Sequence, residues 1–117
     1  MKNHIESHIQ RNCLKWFKLQ HSRVVIHAIP NGGKRSRIEA SIMQGEGVLA
    51  GAADLFIAHA SRGKHGLYIE IKSPTGRQED SQKEFERNVI AAGYCYFVCR
   101  SLEDFIRVVN EYINQKQ

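Results

Sequence analysis

The sequence contains no uninterrupted apolar run near the roughly 18 residues that a membrane-spanning helix needs. Its N-terminus opens on a charged helical pattern rather than on a signal-peptide layout, so a soluble, cytoplasmic protein with no membrane partner is expected. Its three cysteines, Cys13, Cys95 and Cys99, form neither an even-numbered disulfide framework nor a C-x-x-C pair, which leaves reduced, partly buried thiols. Neither a G-x-x-x-x-G-K-[ST] loop nor a G-x-G-x-x-G fingerprint occurs, so no nucleotide cofactor is expected and an enzyme acting on small nucleotides is disfavoured. Internal repeats, linkers and low-complexity tracts are also lacking. With 42% apolar residues, the 117-residue chain has enough hydrocarbon for one modest core, and residues 1–117 are expected to form a single domain.

Charge is present but unevenly spread. The net formal charge of +5 arises entirely in residues 1–50, where eight Lys and Arg stand against three Glu, while residues 51–117 balance nine against nine. Lys34, Arg35 and Arg37 form a local cluster. A localised basic patch is the electrostatic footprint of a phosphate-rich partner, although basic faces also occur without one. Of the six histidines, His4 and His8 have the i, i+4 spacing that puts two imidazoles on one helix face. No further ligand stands at a recognisable spacing, so they read as solvated side chains.

Hydrophobic periodicity gives the order of elements. Ile5, Ile9, Cys13, Trp16 and Phe17 recur at helical spacing over Asn3 to about Leu19. Val24 to Ile29 is a short β-branched run ending at the turn formers Pro30-Asn31-Gly32-Gly33. Ser36 can cap a short helix through Ile38, Ile42 and Met43 before Gly45 and Gly47 interrupt it. Ala52 to Ala58 and Leu67 to Lys72 read as a β-hairpin around Ser61-Arg62-Gly63-Lys64. A helix from about Glu79 to Ala92, closed by Gly93, a strand from Tyr94 to Val98, and a final helix complete the chain. That last helix is expected to open with a capping box, Ser101 and Asp104, and to carry the stripe Leu102, Phe105, Ile106, Val109 and Ile113. The order αβ(α)ββαβα predicts an α/β fold, a mixed sheet flanked by helices.

The chemistry is concentrated in Gly51-Ala52-Ala53-Asp54 and, after fifteen residues, Glu70-Ile71-Lys72. Residues two apart on a strand share a face, so Glu70 and Lys72 project together while Ile69 and Ile71 go to the other side. The hairpin brings Asp54 towards Glu70, and two converging carboxylates suit the hard cations Mg²⁺ or Mn²⁺. An acid-x-Lys tripeptide also arises by chance on solvent-facing strands. Asp54, however, sits among Ala53, Leu55, Phe56 and Ile57, where a buried charge needs compensation.

These segments resemble the VRR-NUC (virus-type replication and repair nuclease) family of the PD-(D/E)xK nuclease superfamily. The matching pieces are the early helix with Glu6, the loop Pro30-Asn31-Gly32-Gly33-Lys34-Arg35, Gly51-Ala52-Ala53-Asp54-Leu55, Glu70-Ile71-Lys72, Gln82-Lys83 at a helix start and Gly93-Tyr94 before a strand. They span nearly the whole chain in order. The superfamily's nominal Pro-Asp is Ala53-Asp54 here, and that proline is not a ligand.

The resemblance implies a restriction-endonuclease-like fold and a Mg²⁺- or Mn²⁺-dependent endonuclease. It implies a homodimer acting on branched or structured DNA in a bacterial or phage-infected cytosol, in DNA repair. It further marks Asp54, Glu70 and the Ile71 backbone carbonyl as metal ligands and Lys72 as the residue that orients water and stabilises developing charge. Glu6 becomes an additional acidic residue of the site, the plain alternative being a solvated helix charge. Gln82 shares a helical face with Phe85 and Val89 and can reach metal-bound water or phosphate, or remain a surface amide. Asn31, Gly32, Gly33, Lys34 and Arg35 read as a DNA-binding loop, since glycines admit phosphate to backbone N–H groups and cations neutralise it; a plain turn is the alternative. Tyr68, Tyr94 and Tyr96 are read as core or sheet packing rather than as base-stacking platforms. The competing function is a non-catalytic nucleic-acid-binding module, against which the retention of Asp54, Glu70 and Lys72 argues.

Overall fold

The computed structural model describes residues 3–30 and 36–114. The elements follow the expected order: α1 (His4–Gln20), β1 (Val25–Ala28), α2 (Arg37–Gly45), β2 (Leu55–Ala58), β3 (Leu67–Ile71), α3 (Asp80–Ala91), β4 (Cys95–Cys99) and α4 (Leu102–Ile113). The four strands lie in sequence order. β1, β2 and β3 pair antiparallel, whereas β4 pairs parallel to β3 because α3 carries the chain back across the sheet. The β2–β3 connection contains the tight turn expected from its sequence: Ser61 and Lys64 exchange backbone hydrogen bonds, with positive φ at Arg62 and Gly63.

Alternation in the strands divides the side chains between two layers. Leu55, Ile57, Leu67, Ile69, Ile71 and Cys99 enter a core closed by Cys13 and Phe17 of α1 and by Phe105, Val108, Val109 and Tyr112 of α4. Burying side chains of this size contributes about 1.5–3 kcal/mol each before conformational entropy is subtracted. The other face carries Phe56, Tyr68, Tyr94 and Tyr96, with Phe85 of α3 edge-on to Tyr68. α2 is capped by Ser36 and Glu39 in a capping box but buries no residue, so local hydrogen bonding supports it more than packing does.

Three local expectations change. Ile5 does not join the buried stripe of α1; it is 56% exposed, and the inward positions are Glu6, Cys13 and Phe17. At about 100° per residue, turning Glu6 inward necessarily swings Ile5 out. β2 is shorter than expected because Ala52, Ala53 and Asp54 lead into it as buried chain that bends at Asp54. In α4 the Ser101 hydroxyl accepts from Asp104 N–H, but Asp104 answers to Arg100 N–H rather than to Ser101, and Val108 and Tyr112 are buried where Ile106 and Ile113 are partly exposed.

Two predictions follow from this packing. Gly51 has φ +88°, and a Cβ there would meet the Ser81 carbonyl oxygen at 2.5 Å, backbone that cannot rotate away. Gly51→Ala is expected to destabilise the protein by at least about 1–3 kcal/mol, read by denaturant unfolding; an unchanged midpoint would show that the two segments are not held together. Burial pushes the Cys13 and Cys99 thiols up from 9.0 to about 12. These acids are therefore neutral in the fold, and their contribution to stability is present below about pH 9 and lost as pH rises towards 12. Ellman's reagent at pH 8 should leave both thiols unmodified in the folded protein and react with them in urea.

Candidate active site

Asp54, Glu70, Lys72, Glu6 and Gln82 all line one polar cavity of about 160 Å³, together with Gly51, Glu79 and Ser81. Strand alternation supplies two of these residues. Glu70 and Lys72 leave β3 on the face opposite Ile69 and Ile71, and Lys72 N–H bonds to the Cys99 carbonyl, which extends the β3–β4 pairing by one residue. Asp54 is fixed by its backbone and by its side chain. Its N–H donates to Ile69 O, its carbonyl accepts from Ile29 N–H, and its Oδ2 accepts from Ile71 N–H at 2.7 Å. A carboxylate thus takes a strand N–H that a backbone carbonyl would otherwise accept, which joins the entry of β2 to the end of β3.

All three groups are buried, with Asp54 at 4%, Glu70 at 2% and Lys72 at 8% exposure. Charges so far out of water need partners, and an acidic wall is set here against one lysine. Among the described residues no three His, Cys, Asp or Glu side chains converge closely enough to hold an ion by themselves. Asp54 and Glu70 are the two buried carboxylates that the entry of β2 and the end of β3 bring to this cavity. Such a donor set fits Mg²⁺ or Mn²⁺, which take one or two carboxylates and complete an octahedron with carbonyl oxygen and water.

Glu70 is held from two elements, α3 and β4. Gln82 Nε2 donates to its Oε2 at 2.9 Å, and Tyr96 OH faces its Oε1 at 3.4 Å. The Gln82 amide has only one way round, because its Oε1 accepts from Glu79 N–H at 2.8 Å at the start of α3. Gln82 therefore links the first turn of α3 to the Glu70 carboxylate and points into the cavity, as its sequence position predicted. Glu6 reaches the cavity from α1 and accepts from Ser73 N–H at 3.2 Å, so it braces the chain just beyond Lys72.

Tyr96, Gln78 and Arg100 were not legible as site residues. Tyr96 packs as expected, but burial and then the Glu70 charge push its phenol up, so it stays protonated and can donate. Gln78 Nε2 donates to Tyr96 OH and to Glu86, and Arg100 Nη1 donates to the carbonyls of Ser73 and Gly76. The available signal for Tyr96 was its place in β4, which puts it beside Tyr68 on the face that Glu70 shares. His4 and His8 are exposed, and His8 contacts Asn12 within α1. The loop Asn31, Gly32, Gly33, Lys34 and Arg35 lies outside the described residues.

The chain as a whole is similar to known proteins. The family model for the VRR-NUC domain matches residues 5–103. A solved structure described as a VRR-NUC domain protein is similar over 97% of this chain and 92% of its own, with a TM-score of 0.81 and 31% identity. No curated protein matches. The matched span contains Glu6, Asp54, Glu70, Lys72 and Gln82, and the chain belongs to the nuclease-related VRR-NUC family.

Proposed function

We propose that this protein is a divalent-metal-dependent endonuclease that hydrolyses DNA phosphodiester bonds, with branched or structured DNA as its substrate. The observation that carries this reading is the convergence of Asp54, Glu70 and Lys72 in one buried polar cavity, on a chain of nuclease-related family. Residues 1–117 form one nuclease domain in this reading, and two copies act as a homodimer in the cytoplasm, in DNA repair.

Asp54, Glu70 and the Ile71 carbonyl would hold Mg²⁺ or Mn²⁺, which supplies Lewis-acid polarisation of phosphate and a lowered pKa for water. The protein's own contribution is preorganisation. Ile71 N–H and the bracket of Gln82 and Tyr96 fix the two carboxylates before substrate arrives, so they need little reorganisation when charge develops. Lys72 places a short-range cation beside them, where it orients the attacking water and stabilises negative charge on the phosphate. Glu6 holds the backbone after Lys72 and so maintains that lysine's position. Asn31, Gly32, Gly33, Lys34 and Arg35 supply backbone N–H groups and cations for the flanking phosphates, an assignment made on sequence and charge.

Cleavage of a panel of linear, flapped and four-way DNA substrates should require Mg²⁺ or Mn²⁺ and stop in excess EDTA. Full cleavage with every trace of metal removed would withdraw the metal from the mechanism. Lys72→Ala should slow cleavage by about a hundred- to a thousandfold while leaving DNA affinity nearly intact, because its contact matters most in the transition state. Equal losses of cleavage and binding would make Lys72 an anchoring residue instead.

A further inference from the structure

The nuclease reading leaves one large feature unused. An apolar groove of about 460 Å³ lies on the same sheet face as the polar cavity, walled by Phe56, Tyr68, Phe85, His27 and Leu49, and Ala52 stands in the walls of both. Phe56 and Tyr68 are partners across β2 and β3 with ring centroids 4.7 Å apart, and Phe85 meets Tyr68 at 5.2 Å. These rings are only half-buried, and Leu49 is 58% exposed. Burying three rings' worth of apolar surface would contribute several kcal/mol. The described part of the chain leaves that surface partly open to water.

We infer that this groove is a subsite for an unstacked nucleobase next to the scissile phosphate, so that the substrate is DNA with an unpaired nucleotide at the cut. The inference rests on the nuclease reading for its placement. Phe56 and Tyr68 stand one strand alternation, about 7 Å, from Asp54 and Glu70 on the same face. A phosphate at the carboxylates brings its own sugar and base within that distance, because they are covalently attached. Aromatic faces are the surface on which single-stranded bases stack, at about 1–3 kcal/mol per base and with little regard to sequence. His27 and Glu46 in the groove wall add a polar edge for a base's ring nitrogens and exocyclic groups. A base inside a duplex is stacked and paired, so only an unpaired one enters without the cost of extrusion. Net positive charge favours this polyanionic occupant over an apolar peptide.

The test compares a thymidine oligonucleotide with an abasic tetrahydrofuran oligonucleotide of equal length, which has the same phosphates and no bases. With EDTA present to prevent cleavage, the protein should bind the thymidine strand about tenfold more tightly. Phe56→Leu, which keeps apolar volume and removes the ring, should bring that ratio close to one without changing affinity for the abasic strand. Should Phe56→Leu fail to fold, ring-proton NMR of the unaltered protein decides: Phe56, Tyr68 and Phe85 signals should shift with the thymidine strand and not with the abasic one. Equal affinities with no ring shifts overturn the subsite, as does a dimer in sedimentation that Phe56→Leu dissociates, since a second copy then covers the groove. Metal-dependent cleavage combined with equal affinities removes the subsite and leaves the nuclease standing. Base-dependent binding without cleavage in any metal does the reverse.

Discussion

The hydrogen bond from Ile71 N–H to Asp54 Oδ2 is the constraint around which the site is built. Strand β3 has one face in the hydrocarbon core and an acid and a base on the other, an arrangement that is stable only if the charges are fixed and compensated. By accepting a strand N–H, Asp54 acts as part of the sheet as well as part of the site. The charge it brings is thereby bonded at the point where the two strands part. Removing the carboxylate would leave a buried N–H without its acceptor, at a typical cost of about 1–3 kcal/mol. Structure and chemistry therefore share one atom, and the site cannot be separated from the fold that carries it.

The two sheet faces divide the work. The face against α1 and α4 is aliphatic and closed, and it fixes the register of β2, β3 and β4. Because a one-residue slip would send Ile69 and Ile71 outward, the core also determines where Glu70 and Lys72 point. The opposite face mixes a polar cavity with aromatic rings and is only partly covered. Its openness suits the proposed activity, since a polymer substrate needs a surface rather than an enclosed pocket.

Much of this was readable from the sequence because strand alternation and helical spacing are local rules. The acid-x-Lys tripeptide in a β-branched run placed Glu70 and Lys72 together, and turn chemistry placed Asp54 across from them. What stayed hidden depends on long-range contacts. The rotation of α1 that buries Glu6 and exposes Ile5 is set by packing against β3 and α4, which a helical pattern with apolar residues at both candidate faces does not determine. The Gln82 contact was legible as an inward side chain, but its partner depended on the amide being oriented by Glu79 N–H. Tyr96 looked like packing because a phenol's ring and its hydroxyl obey different rules, and only the ring leaves a periodic signature.

The same amide ties the first turn of α3 to the Glu70 carboxylate. Helix ends fray more readily than whole domains unfold. If the first turn of α3 opens, Glu79 N–H no longer holds the Gln82 oxygen, and the Gln82 donor swings away from Glu70 while the core and sheet remain intact. The stability of one helical turn, rather than that of the domain, then sets the fraction of molecules with an ordered site. Opening of that turn alone would release the Glu70 carboxylate from its amide while the domain stays folded.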